Sequence, residues 1–234
     1  MKIGFFQFDV VYGDKQANLD KVTQALLQDD FDLILLPELF STGSIFLSVQ
    51  HVHDFAEVVP EGETTQRLIA LAQSKSAYIV AGIIEREGEH CYNSAVIVGP
   101  NGFIGTHRKV NLASSDLRFF SAGEQFNVFE ILGRKVGVLL CYDIWFPQAA
   151  QTLVEQGVDI ILNPSNFCGE DSVAVITQQA KVSGVYTIAA NRLGMDHDMG
   201  TGVKFIGASL IISPKGEVLK HGGCHEALVM HSIV

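Results

Sequence analysis

The chain has 234 residues, 47% of them hydrophobic and 18% charged, which is enough apolar material for a sizeable core. Its 26 acidic residues outnumber 16 basic ones for a formal charge of −10, a balance that argues against nucleic acid or an anionic membrane surface as partner. The opening MKIGFFQFDVVYGD lacks a signal peptide's apolar core and cleavage site, and no run nears the roughly 18 apolar residues of a bilayer span, so a cytoplasmic protein is expected.

Strands and helices alternate along the chain. KIGFFQF (2–8) reads as a first strand, and DKQANLDKVTQALLQD (14–29) as a helix with Leu19, Val22 and Leu26 on one face. DLILLP (32–37) is a continuous buried strand ended by its proline, and ETTQRLIALAQSKS (63–76) a second helix with Thr64 or Thr65 as cap. Three antiparallel strands follow at 77–86, 91–99 and 102–110, separated by the turns EGEH and GPNG. After a polar loop (111–126) come strands FNVFEI and KVGVLLC, helix FPQAAQTLVEQG, strand VDIILNP, helix SVAVITQQAKVSG and strand VYTIAANR. A closing hairpin (205–222) and a last strand (226–234) complete a single α/β domain over 1–234, with two sheets and helices outside.

Three ionisable side chains end apolar strands: Glu38 after LILLP, Lys109 after GFIGTHR and Cys141 after KVGVLL. Such strand ends are where open α/β sheets place ligands. A carboxylate, an ammonium and a thiol in one pocket form a coherent set. Glu38 takes the thiol's proton, Cys141 is the nucleophile, and Lys109 lowers the thiol's pKa and holds negative charge on a tetrahedral intermediate. A helix starting near Phe146 would aim backbone N–H groups at the same oxygen.

LPELF with Glu38, HRKVNL with Lys109 and CYDIWFP with Cys141 resemble, in order and spacing, the three catalytic segments of the nitrilase superfamily, the carbon–nitrogen hydrolases. The likeness extends to NPSN (163–166), ANRLG (190–194) and FIGASLIISPKGEV (205–218), so it covers nearly the whole chain. The resemblance implies a four-layer αββα sandwich of two mixed β-sheets, with no metal and no organic cofactor. It implies attack by Cys141 on an amide or nitrile carbon, loss of ammonia, and hydrolysis of a thioester by water that Glu38 activates. The backbone N–H of Tyr142 and the Lys109 ammonium would hold the oxyanion. The family also implies a homodimer or higher homo-oligomer, and relatives usually continue past the position of Val234 into a tail at that interface.

Several positions depart from the family pattern. Many members carry a second glutamate between the lysine and the cysteine; here the position falls on Asp116, one methylene shorter, with Glu124 nearby but out of register. Trp145 stands where many relatives have arginine, as in the carbamoyl-amide branch, and Gln148 where most have glutamate. Tyr142, Trp145, Phe146, Asn166, Phe167 and Asn191 are expected to line the pocket, and Asp143 to cap a helix or bond nearby backbone. Cys91, Cys168 and Cys224, with no C-x-x-C pair, read as free structural thiols, HVH (51–53) and HGGCH (221–225) as turn and surface residues, and DHDMGTG (196–202) as a flexible loop.

The expected activity is that of a thiol-dependent amidase acting on the ω-amide of a small carboxylic acid or on an N-carbamoyl amine. Three other readings stand beside it at this point: a nitrile hydrolase, a silent relative serving as a binding or assembly module, and a cysteine acyltransferase or peptidase with His107 as base.

Overall fold

Residues 1–198 and 201–233 are described in a computed structural model of the chain. In chain order the elements of the first half are β1 (Lys2–Gln7), α1 (Lys15–Leu27), β2 (Leu33–Leu35), α2 (Val49–Phe55), α3 (Glu63–Lys75), β3 (Tyr78–Glu87), β4 (His90–Gly99) and β5 (Gly102–Arg108). The second half has β6 (Val128–Ile131), β7 (Arg134–Val138), α4 (Pro147–Glu155), β8 (Ile160–Pro164), α5 (Asp171–Ser183), β9 (Tyr186–Ala190), β10 (Met195–Asp198), β11 (Thr201–Lys204), β12 (Leu210–Ile212), β13 (Val218–His221) and β14 (Ala227–Ser232). Short 3₁₀ turns occupy Asp116–Arg118 and Cys141–Trp145.

The strands form two six-stranded sheets, ordered β14-β1-β2-β3-β4-β5 and β13-β12-β9-β8-β7-β6. Both share one plan. Three strands run parallel (β1, β2, β3 and β7, β8, β9), and two antiparallel strands then extend the sheet. An antiparallel strand, β14 or β6, borders each parallel set on the other side.

Strand alternation explains how the sheets stack, because successive side chains point to opposite faces. Leu33 and Leu35 of β2 join Ile160 and Leu162 of β8 in a core between the sheets, with Phe5, Val136, Val138 and Ile188. Ile34 and Leu36 face the other way, under Leu19, Val22 and Leu26 of α1 and Leu68 and Leu71 of α3. Ile161, Ala189 and Leu210 likewise lie under Ala149, Ala150 and Leu153 of α4 and Ile176 and Ala180 of α5. The result is the expected αββα sandwich of two mixed sheets with helices outside. Parallel strands covered on both faces must be largely apolar, as the runs LILLP and IIL (160–162) are.

Local differences from the sequence reading have identifiable causes. Neither Thr64 nor Thr65 caps α3. Gly62 is the cap residue, and the Glu57 carboxylate reaches in to accept from the Thr64 N–H (2.9 Å) and hydroxyl (2.8 Å), placing a negative charge at the helix's positive end. Helix α2 was not foreseen, although Ser48 announces it by accepting from the His51 N–H at 3.1 Å. The stretch expected as a flexible loop (196–202) contributes to an antiparallel hairpin in which Asp196 pairs with Val203 and His197 with Gly202; residues 199 and 200 lie outside the described residues. Asp196 organises that hairpin, because its fully buried carboxylate is met by Arg192 at 2.8 and 2.9 Å.

Leu153 holds α4 down over β7, where Gly137 leaves room; a Cβ there would come within 2.7 Å of the leucine side chain. Leu153→Ala empties a fully buried site and is expected to destabilise the fold by about 2–5 kcal/mol, read as a lower urea midpoint.

Candidate active site

Glu38 is delivered by the end of β2. Pro37 stops the strand, and the next residue, Leu39, takes a left-handed conformation (φ 47°) that a branched side chain adopts only under constraint. Hydrogen bonds to β3 supply that constraint: Leu36 N–H donates to Val80 O (2.8 Å), Phe40 N–H to Gly82 O (3.1 Å), and Gly82 N–H to Pro37 O (3.1 Å). The backbones approach so closely that a Cβ on Gly82 would lie 2.4 Å from Glu38 Cα. Only glycine fits there.

Lys109 follows β5 and donates its N–H to Asn93 O of β4 at 2.8 Å. Its ammonium is 2% exposed and donates to Glu38 Oε1 (2.8 Å) and Asp116 Oδ2 (2.7 Å). The Asn93 side-chain amide donates to the same Glu38 oxygen at 2.7 Å, and the Ala113 N–H donates to Asp116 Oδ2 at 3.0 Å. The shorter acid at position 116 therefore does reach the lysine. Glu124, the out-of-register alternative, lines a separate polar groove beside Glu85 and Arg108.

Cys141 arrives from the second sheet. It too is left-handed (φ 42°) and opens a 3₁₀ turn; the helix expected near Phe146 follows that turn as α4, with Phe146 as its cap residue and Pro147 its first. Asp143 fixes the turn as expected of a residue bonding nearby backbone, accepting from the Leu140 N–H (3.0 Å) and from the Asn111 N–H (2.6 Å) and side-chain amide (3.0 Å). Asn163 on β8 braces the other side by donating to Leu139 O (2.5 Å) and Cys141 O (3.4 Å).

The electrostatics differ from the sequence expectation in one respect. Burial pushes the Cys141 thiol well above the usual cysteine range and the Glu38 charge adds to this, while Lys109 and the Asn166 backbone N–H pull it down without prevailing. The thiol is thus held towards its protonated form beside the Glu38 carboxylate. Lys109 behaves in the opposite sense: burial would lower it, but the Glu38 and Asp116 carboxylates outweigh burial and hold it above the normal lysine range.

These groups open into a cavity of about 580 Å³, within the usual range for small-molecule sites. Tyr142, Trp145, Asn166 and Phe167 line it, as do the unforeseen Leu39, Ile45, Cys168, Asp171, Val203 and Phe205. Phe146 does not line it: it packs against the core beneath α4, with its ring edge-on to Tyr142 at 5.2 Å. Asn191 also stays behind the wall, where its side chain bonds Phe167 N (2.8 Å), Phe167 O (3.0 Å) and Gly207 O (2.7 Å) and so positions the segment carrying Asn166 and Phe167. Asn93 escaped notice in the sequence, although an asparagine inside the apolar run CYNSAVIVG was its signal. His107 is fully buried behind the elbow, with Nε2 3.9 Å from Asp143 Oδ2, and does not line the cavity. Among the described residues, no three His, Cys, Asp or Glu side chains gather as a set of metal ligands.

Two outcomes are expected. Gly82→Ala forces Glu38 out of place and should slow alkylation of Cys141 by iodoacetamide at least about tenfold, with a stability loss of about 1–3 kcal/mol from overpacking. Because the thiol sits above its ordinary range, its thiolate fraction still rises across pH 6–9, so alkylation of the wild type should climb through that window; a plateau below pH 8 would instead indicate a preformed thiolate.

The sequence profile of the carbon-nitrogen hydrolase family matches residues 2–233. The chain is 40% identical over 223 residues to a nitrilase of Pyrococcus abyssi, spanning 94% of this chain and 84% of that one. It is 30% identical over 235 residues to an omega-amidase of Xenopus tropicalis, spanning 94% and 83% respectively. A carbon-nitrogen hydrolase of Helicobacter pylori shares the fold with a TM-score of 0.90 at 22% identity, over 98% of this chain and 87% of that one. Since the family match runs through nearly all of the sequence and the sandwich it requires is the one observed, the chain belongs to the carbon-nitrogen hydrolases and is a hydrolase acting on C–N bonds.

Proposed function

We propose that the protein is an amidase hydrolysing a small amide or N-carbamoyl compound through a thioester on Cys141, with release of ammonia. The observation that carries this reading is the shared carboxylate of Glu38. It lies beside the Cys141 thiol, whose ionisation its charge opposes, while its Oε1 is held by Lys109 and Asn93, so a base, a nucleophile and a cation converge at one point of the cavity.

The steps follow from that arrangement. Sulfur attacks the carbonyl carbon as the thiol proton passes to Glu38, and a C–S bond forms. The carbonyl electron pair moves to oxygen, where the Lys109 ammonium and the Tyr142 backbone N–H stabilise it. The pair returns, the C–N bond breaks, and Glu38 gives its proton to the departing nitrogen. Water then attacks the thioester while Glu38 takes one of its protons; the C–S bond breaks and that proton restores the thiol. The net change is amide plus water to carboxylic acid plus ammonia. Asp116 keeps Lys109 charged and in place throughout, which supports a working enzyme over a silent relative.

A nitrile is a second substrate type that the likeness to the Pyrococcus abyssi nitrilase favours. A cytoplasmic homo-oligomer belongs to the same proposal and is carried by the family resemblance; among the described residues no helix is long and apolar enough to cross a membrane.

Ammonia release across small amides, N-carbamoyl amines and nitriles is the test. Turnover of one class is expected, abolished in Cys141→Ala and reduced about 10²–10⁴-fold in Glu38→Gln and in Lys109→Ala. Undiminished turnover in Cys141→Ala would overturn the mechanism.

A further inference from the structure

We infer that the cavity beside Cys141 accepts amides whose acyl group is uncharged and discriminates against those bearing a carboxylate. This rests on the amidase reading and narrows it, setting aside the ω-amides of dicarboxylic acids that the sequence left open.

The charges lining the cavity decide the matter. Three carboxylates (Glu38, Asp116, Asp171) face it against one ammonium, Lys109, an excess of two formal negative charges among the described lining residues. Lys109 is committed, donating to Glu38 at 2.8 Å and to Asp116 at 2.7 Å while only 2% exposed. Other cations of the neighbouring strands and loops are engaged elsewhere. Arg108 forks onto Glu85 in the separate polar groove, Arg192 is buried against Asp196, and Lys204 alternates away from Val203 into a different depression beside Asp9 and Glu226. Arg118, exposed two residues beyond Asp116, lies over the Phe119 ring and is not among the lining residues. A carboxylate brought into this partly desolvated space would be an unpaired buried ion among like charges, a costly arrangement.

The start of α5 is another source of positive potential at the wall. Two acids already sit there: Glu170 is the cap residue, though its side chain makes no capping hydrogen bond, and Asp171, which itself lines the cavity, lies in the first turn. What the wall offers instead is apolar surface from Leu39, Ile45, Tyr142, Trp145, Phe167 and Phe205, with a neutral polar handle. Both side-chain amide atoms of Asn166 are buried without a hydrogen-bond partner although the residue lines the cavity, so a neutral donor and a neutral acceptor wait there together. A carboxylate could use only the donor. An uncharged amide or hydroxyl could use both.

Succinamide and succinamate form the test pair, since they share a skeleton and differ in an amide against a carboxylate at the far end. In the wild type, kcat/KM for succinamide is expected to exceed that for succinamate at least about 100-fold, and Val203→Arg, which adds a cation to the wall, should narrow the gap at least about tenfold. A wild-type ratio within threefold, or in favour of succinamate, overturns the inference. Dissociation constants for the same pair on Cys141→Ala separate this from the chemistry. Tighter binding of succinamide without wild-type turnover supports the charge preference while counting against the amidase reading. Equal binding, tighter binding of succinamate, or binding of neither overturns the preference itself.

Discussion

A buried ammonium between two buried carboxylates is the constraint on which this site depends. Lys109, Glu38 and Asp116 are all nearly inaccessible to water, and a lone ion in that position costs several kcal/mol, so the three must meet once the chain folds. Each comes from a different segment: the end of β2, the residue after β5, and a 3₁₀ turn in the long connection to the second sheet. The obligation to pair therefore pins two loops and a strand end together, and the Asn93 amide fixes which Glu38 oxygen is used. Burial together with the Glu38 charge holds the Cys141 thiol towards its protonated form, against the pull of Lys109.

Much of the architecture was legible because the physics that builds it is local and repetitive. The runs LILLP and IIL (160–162) are apolar on both faces because a helix layer and a second sheet cover them, and such strands end where open sheets expose their polar termini. An ionisable residue at that point is conspicuous in one dimension, which is why Glu38, Lys109 and Cys141 could be picked out together.

What escaped the sequence depends on angles and distant partners. The step from Cys141 is a 3₁₀ turn, in which residues three apart eclipse one another, so Tyr142 and Trp145 share the cavity face while Phe146 swings into the core. An α-helical spacing applied to the same letters cannot produce that division. The β10–β11 hairpin was hidden for another reason: DHDMGTG is polar and glycine-containing, and only the buried pairing of Arg192 with Asp196 makes it ordered. Asn93 lies in a strand whose pattern predicts burial, but its partner is 55 residues away on another strand end.

The division of the chemistry between the sheets has a mechanical consequence. Glu38 and Lys109 ride on one sheet and Cys141 on the other, and a layer of interlocked side chains including Leu35, Val138 and Leu162, with the Asn111–Asp143 bonds at its edge, sets their separation. Reacting groups lose about a hundredfold in rate for an ångström of misplacement, far less than the slip needed to part the sheets. The catalytic rate therefore acts as a strain gauge for the seam of the sandwich. Warming or denaturant that loosens this layer silences the enzyme while every helix and strand is still hydrogen-bonded, and side chains chosen for how tightly they mesh there are as much a part of the catalyst as the thiol.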